Sequence, residues 1–376
     1  MYKRLIILLL ILGVLAFTKS VKALNLCPNS KAHILIECET GKILDEHNKD
    51  LKLPMASMTK VMSLAIVYDA ISSKKINYET NITCSINARK MGGSQVYLEE
   101  GETHSLREML KCITIASAND AMVAVCEAIY GTEEYFVTKM NEKAHELGMF
   151  NTHYMDSTGL TDTNHYTTAY DMSTISRYLV QNYPEILTFT SMKEAYFREK
   201  TEKPFWLVNT NKLIGKVKGV DGLKTGWTNA SGYCITATAK RDNLRLIGVV
   251  MGYDNPTVRN TEVVNLLNYG FTNFEKRLIM PKGNIIYAIN DIKYSPNNFN
   301  IVAKKDLYII VMRNSKQEEI SYEVKKHPNA INQEDGVLAI YYGDELIDEV
   351  SIGPNVVIKK RNFIDLWLNV LKKYLT

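Results

Sequence analysis

Only one long apolar run occurs in the sequence, and it lies at the extreme N-terminus, so a chain of many membrane spans is excluded. The six cysteines show neither CxxC nor CxxxC spacing, so no regular disulfide framework can be read from them. The seven histidines include no HExxH and no paired spacing, which leaves no metal signature and no metal cofactor to expect. No internal repeat or low-complexity tract is present. Positive charge is also scarcer than the formal net of +4 suggests. Lys3, Arg4, Lys19 and Lys22 precede residue 24 with no acid among them, and the remainder holds 41 basic against 41 acidic residues. A strongly basic face for nucleic acid is not indicated.

What is present suits a globular protein. The 376 residues are 46% hydrophobic and 23% charged, enough for two domains or for one large domain with an appendage. At the start, Lys3-Arg4 precede an apolar stretch from Leu5 to Phe17, followed by small and polar residues up to Ala23. This is the form of a secretory leader, residues 1–23, cut after Ala23. The stretch is short of the ~20 residues of a membrane span. The mature protein is therefore expected outside the cytoplasm. Cys27, Cys38, Cys84, Cys112, Cys126 and Cys234 read as small buried hydrophobes whose pairing stays open.

The pattern along the chain alternates strand and helix. His33-Ile34-Leu35-Ile36 and Ile43-Leu44 flank a turn at Glu39 to Lys42 and read as a hairpin. A helix is expected from about Ser57 to Ser72. Ser105 to Glu108 has capping-box form ahead of a helix to Ile115. Two further helices, Asp120 to Tyr130 and Glu133 to Leu147, end at Gly131 and Gly148, residues suited to the left-handed position after a helix. Strands follow at Tyr233 to Thr238 and Leu244 to Met251, then a helix at Thr261 to Tyr269 with Gly270 as its stop. The fold class is α/β, with distant segments meeting in one sheet over residues 24–275.

Beyond Lys276 short β-rich pieces alternate with Asn, Pro, Lys and Gly, and residues 276–357 form a small all-β C-terminal domain. Residues 358–376 end in an amphipathic helix. Asn362, Asp365, Asn369, Lys372, Lys373 and Thr376 make a narrow polar stripe, and Phe363, Ile364, Trp367 and Leu368 are among the residues covering the rest. Such a helix suits a membrane interface, and an exported chain that has lost its leader needs another anchor.

Three short motifs carry the chemistry. Ser57-Met58-Thr59-Lys60 sets a serine and a lysine three residues apart on one helix face. A lysine amine whose pKa is lowered by burial can take the proton of a serine that is otherwise a poor nucleophile. A second SxxK, Ser72 to Lys75, sits at a polar helix end and reads as surface. Ser117-Ala118-Asn119 falls at a break between helices, where side chains can face a cleft. Lys224-Thr225-Gly226 opens the strand-rich stretch, where a strand edge can hold a substrate backbone, Gly permits close approach and Lys supplies charge. Each is weak alone. In this order, 60 and then 107 residues apart, they are specific.

With these motifs the chain resembles the D-alanyl-D-alanine carboxypeptidases, low-molecular-mass penicillin-binding proteins of peptidase family S11. Pro54 to Met62, Gly93 to Gly101, Ser117 to Ala121, Thr168 to Met172 and Val220 to Thr228 read like the family. The resemblance implies a serine β-lactamase/transpeptidase-like catalytic domain, the β-rich second domain and the amphipathic tail. It implies Ser57 as acylated nucleophile and Lys60 as general base. Ser117 would relay a proton to the leaving D-alanine, and Asn119 would orient Lys60 and the substrate amide. Lys224 and Thr225, with Gly226 on the same strand, would bind the region of the terminal carboxylate, with Arg259 nearby. The oxyanion hole would be the backbone N–H groups of Ser57 and Trp227. Trp227 departs from the smaller or more polar aromatics frequent in the family.

The implied substrates are peptidoglycan stem peptides, and β-lactam antibiotics would acylate the same serine. Three alternatives share the scaffold: a D,D-endopeptidase, a β-lactamase, and a silent wall-binding protein. Against the β-lactamase, residues 151–172 contain Asp156, Asp162 and Asp171 but no Glu and no ExxLN element.

Overall fold

Strand β1 (Ala32–Glu37) is buried along its whole length, which explains why it reads as an unbroken apolar run rather than an alternating one. In the computed structural model, which describes residues 25–375 apart from 161, 316–319 and 330–333, both faces of its sheet are covered. The expected leader, residues 1–23, lies outside the described residues. β1 pairs with β2 (Ile43–His47), and the sheet continues through β3 (Val220–Thr228), β4 (Gly232–Arg241) and β5 (Leu244–Tyr253). Its five antiparallel strands run in the order β2-β1-β5-β4-β3, which leaves β3 on an edge.

Side chains alternate across a strand, so each strand feeds two cores. Ile34, Ile36, Ile247, Val249 and Met251 face a helical block. Leu35, Leu246, Val250, Ile235 and Ala237 face helix α6 (Pro256–Asn273). The helical block consists of α1 (Lys60–Ser72), α2 (Leu106–Ile115), α3 (Asn119–Tyr130), α4 (Glu133–Glu146) and α5 (Ala169–Asn182). α1 is buried on every side from Lys60 to Tyr68, the pattern of a helix at the centre of a domain.

The caps follow the local chemistry. Ser105 and Thr132 accept from the N–H groups of Glu108 and Tyr135, opening α2 and α4. Gly131 and Gly148 adopt positive φ after α3 and α4, as expected. Gly270 does not end a helix. α6 begins at Pro256, capped by Asn255, and runs through Gly270 to Asn273. A Cβ on Gly270 would lie 2.5 Å from Leu246 Cδ1 and 2.9 Å from Leu35 Cδ2, so this glycine lets the helix press onto the sheet. The expected span of 261–269 was short at its start because the Asn255 cap and Pro256 open the helix earlier, and at its end because Gly270 packs rather than stops.

The C-terminal domain is all-β. β6 (Phe274–Met280) follows α6 directly and pairs with β9 (Leu307–Met312). β7 (Ile285–Asn290), β8 (Asn298–Ala303), β10 (Ile320–Lys326), β11 (Gly336–Tyr342) and β12 (Glu345–Pro354) form an antiparallel sheet in the order β7-β8-β12-β11-β10. Phe299, Ile301, Leu338, Ile340, Val350 and Ile352 make its separate core. The two domains join where Lys42 Nζ donates to the Ile310 carbonyl at 3.1 Å and Lys276 pairs with Glu39.

Helix α7 (Phe363–Leu375) closes the chain. Asn362 Oδ1 accepts from the Asp365 N–H at 2.8 Å as its cap, while Phe363, Ile364, Trp367, Leu368 and Val370 are exposed. Of the expected polar stripe, the Asn369, Lys372, Lys373 and Thr376 side chains lie outside the described residues. No helix among the described residues is long and apolar enough to cross a membrane. All six cysteines are buried and unpaired, and burial raises each thiol above its ordinary pKa.

Candidate active site

Ser57 sits in a single 3-10 turn, Ala56–Thr59, that leads straight into α1. The turn lies against the edge strand β3, and Gly226 makes that approach possible. A Cβ there would fall 2.7 Å from the Met55 carbonyl oxygen and 3.1 Å from the Met58 nitrogen. The glycine of the KTG motif thus admits the nucleophile's own turn. Ser57 is half-buried, whereas Lys60 is fully buried one turn on.

Lys60 Nζ reaches three oxygens: Asn119 Oδ1 at 2.6 Å, the Thr158 carbonyl at 2.9 Å and Ser57 Oγ at 3.2 Å. None is an anion. Burial therefore dominates and pulls the Lys60 pKa down to about 7, although Asp156, Cys126, Asp120 and Glu133 pull the other way from farther off. A serine hydroxyl beside an amine that is substantially neutral near neutral pH is an activated nucleophile.

The break between α2 and α3 places the second motif over this pair. Ser117 has φ +67°, a left-handed conformation that costs an L-residue roughly 1–2 kcal/mol. Its Oγ is buried with no hydrogen-bond partner among the described residues. Asn119 donates from Nδ2 to the Gly92 carbonyl at 2.7 Å, which fixes its oxygen toward Lys60. Asp120 holds the facing loop by accepting the Val96 and Leu98 N–H groups.

On β3 the Lys224 side chain is buried and donates to the Thr225 carbonyl at 2.8 Å. Burial, then Lys60, then Arg259 lower its pKa well below the ordinary lysine value. Thr225 Oγ1 meets Thr210 Oγ1 at 2.9 Å. Arg259, in the first turn of α6, donates to the Cys234 carbonyl at 3.1 Å, and Cys234 pairs with Gly226 across the β3–β4 ladder. Lys60, Lys224 and Arg259 thus gather basic groups with no carboxylate bonded to any of them among the described residues, a setting for an anionic ligand. Trp227 lies farther along the edge, 54% exposed, with its ring 5.7 Å from that of Tyr233. The second SxxK, Ser72 to Lys75, is exposed.

Sequence reasoning missed the segment 155–160. Asp156 Oδ1 accepts from the Thr158, Gly159 and Leu160 N–H groups at 2.7, 2.6 and 3.3 Å, an Asx-type turn that presents the Thr158 carbonyl to Lys60. The Asp-Ser-Thr-Gly string was the legible signal for that turn. His165 is buried beneath the nucleophile's turn with Nε2 2.7 Å from Thr59 Oγ1.

A family model described as D-alanyl-D-alanine carboxypeptidase matches residues 18–255, and one described as penicillin-binding protein 5, C-terminal domain, matches residues 274–360. The chain is 38% identical over 365 residues to D-alanyl-D-alanine carboxypeptidase DacF of Bacillus subtilis (strain 168), covering 95% of this chain and 94% of that one. Penicillin-binding protein 5 from Haemophilus influenzae superposes with a TM-score of 0.76 at 28% identity, over 88% of this chain and 98% of that one. Penicillin-binding protein D2 from Listeria monocytogenes, solved in an ampicillin-bound form, superposes with a TM-score of 0.58 at 29% identity, over 65% of this chain and 97% of that one. A buried lysine beside a reachable serine, in a chain similar along nearly its whole length to one of these enzymes, makes this protein a member of the D-alanyl-D-alanine carboxypeptidase family.

Proposed function

We propose that the chain removes the terminal D-alanine from peptidoglycan stem peptides through an acyl-enzyme on Ser57. The observation that carries this reading is the 3.2 Å approach of Lys60 Nζ to Ser57 Oγ, with the amine tied to neutral oxygens only. Neutral Lys60 takes the Ser57 proton as Oγ attacks the carbonyl between the two D-alanines. The Ser57 and Trp227 N–H groups stabilise the developing oxyanion, each worth about 2.7–4 kcal/mol of barrier. Ser117, whose hydroxyl has no partner among the described residues, passes a proton to the departing amine. Lys224, Thr225 and Arg259 hold the carboxylate that distinguishes a chain end from an internal peptide bond. Water then releases the shortened stem.

β-Lactams, which present a strained amide beside a carboxylate, acylate the same serine. Slow deacylation is expected because residues 151–172 hold no Glu and no ExxLN element to activate a water, and Asp156 Oδ1 is engaged in its own turn. That supports a carboxypeptidase over a β-lactamase. The expected leader and the exposed apolar face of α7 support a protein exported to the outer face of the cytoplasmic membrane and resting on it.

The test uses residues 24–376 and a Ser57→Ala control, with a stem pentapeptide ending in D-Ala-D-Ala and a fluorescent penicillin. Free D-alanine and stable labelling, both lost in the control, are the expected result. Labelling without release would point to an endopeptidase or a silent binder, rapid penicillin turnover to a β-lactamase. No labelling would exclude the serine acyl mechanism.

A further inference from the structure

Two buried side chains that the mechanism above leaves unused, His165 and Thr59, form a chain of bonds that ends on one carbonyl. Thr59 Oγ1 lies 2.8 Å from the Ala56 oxygen and 2.7 Å from His165 Nε2, and the Met155 N–H meets His165 Nδ1 at 3.1 Å. The two ends of this chain fix every proton in it. An amide N–H can only donate, so Nδ1 accepts and the ring proton sits on Nε2. A carbonyl can only accept, so the Thr59 hydroxyl donates to Ala56 and must receive from His165. Thr59, His165 and Ala56 are each buried, at 4% exposure or less.

The Ala56 carbonyl and the Ser57 N–H belong to the same peptide unit. In a planar trans peptide the C=O and N–H point in opposite directions. Fastening the Ala56 oxygen inward to Thr59 therefore turns the Ser57 N–H the other way, outward from that bond. The fastening has strain to hold: Ala56 has φ +48°, outside the ordinary range of an L-residue. Gly159 closes the other side, since a Cβ there would stand 1.9 Å from the same oxygen.

We propose that His165 is a positioning residue that, through Thr59, aims the Ser57 N–H at the oxyanion of the reacting carbonyl. This rests on the reading of Ser57 as nucleophile and oxyanion donor. Burial lowers the pKa of His165, which keeps the ring in the neutral form that the chain of bonds requires. Asp156 Oδ2, 3.5 Å from Nδ1, and Asp162 oppose that shift, and His153 adds to it.

The test measures the acylation rate constant with a fluorescent penicillin, the labelling stoichiometry, the melting temperature, and kcat and KM for D-alanine release. His165→Ala and Thr59→Val should each slow acylation at least tenfold, toward the ~10²–10³-fold of losing an oxyanion donor. Stoichiometry should stay near one label per chain, and the loss should fall on kcat rather than KM. His165→Gln keeps an N–H near the Nε2 position and Thr59→Ser keeps the hydroxyl, so both should retain most of the rate. The double variant His165→Ala/Thr59→Val should be no slower than Thr59→Val alone. Wild-type rates with a lowered melting temperature would reduce His165 to a structural role and overturn the proposal, as would independent, multiplying losses in the double variant. If His165→Ala does not fold, the Thr59→Val and Thr59→Ser pair decides alone. Labelling that persisted in Ser57→Ala would instead strike at the nucleophile reading itself.

Discussion

Lys60 Nζ and Asn119 Oδ1 meet at 2.6 Å, the shortest of the lysine's three contacts, and the amide offers a dipole where a carboxylate would have offered a charge. The difference sets the working pH. With its pKa near 7, Lys60 becomes a base as pH rises through that value, so the acylation rate should climb through an apparent pKa of about 7. Lys60→Arg should not acylate at any pH tested, because a guanidinium does not deprotonate. The stability linkage has the same sign. Between about 7 and the ordinary 10.5 the unfolded chain binds a proton that the folded one does not, so wild type should gain stability over Lys60→Met as pH rises across that window. Urea unfolding at pH 7 and 9.5 measures this. A flat difference would mean that Lys60 titrates as it would in water.

Ser117 offers a case where activity and stability should part. Its hydroxyl is buried without a partner among the described residues, and leaving such a group unsatisfied costs about 1–3 kcal/mol. Ser117→Ala removes that cost, so the melting temperature should hold or rise. D-alanine release should fall by about 10²–10⁴-fold, the usual contribution of a positioned proton donor. A destabilised variant with intact turnover would show that the hydroxyl serves the fold.

Gly159 is the tightest contact at the site. Its φ is +90°, and a Cβ would overlap the Ala56 carbonyl. Gly159→Ala should cost roughly 2–4 kcal/mol, combining overpacking with a left-handed L-residue, and should slow acylation because Ala56 carries Ser57. Gly131→Ala is the control: φ is +86°, yet nothing lies within 4 Å, so only about 1 kcal/mol and no rate change should follow. Denaturant midpoints and labelling rates for both variants separate strain from crowding.

The contrast between these glycines marks what a sequence can disclose. Gly131 and Gly148 announce helix ends because that role is local, and they proved to be ends. Gly270 and Gly226 carry the same letter for a reason that lies far along the chain, a sheet in one case and the nucleophile's turn in the other. The three motifs were legible because each is contiguous, and the edge position of Lys224-Thr225-Gly226 follows from a strand that begins after a long helical excursion. His165 was not legible. It stands 106 residues from Thr59, and nothing local distinguishes a buried histidine from a surface one. The β domain was visible from its short apolar pieces, with β8 and β10 the least legible, since their polar and asparagine-rich sequences resemble the loops around them.

The terminal helix yields the last prediction. Phe363 is 81% exposed and Trp367 57%, so these two side chains on the apolar face of α7 do not pack on the protein. An amphipathic helix with aromatic residues on that face lies in the plane of a bilayer interface. Lys359 and Lys360 are exposed just before it, and each basic residue near an anionic surface adds about 1 kcal/mol. The protein should therefore bind vesicles containing phosphatidylglycerol more tightly than neutral ones, and added salt should weaken only the excess. Deleting residues 363–376 should abolish sedimentation with vesicles while D-alanine release from a soluble pentapeptide continues unchanged. If the truncated chain still sediments, the surface that meets the membrane lies elsewhere. If it loses activity and melts earlier, the helix instead packs on its own domain.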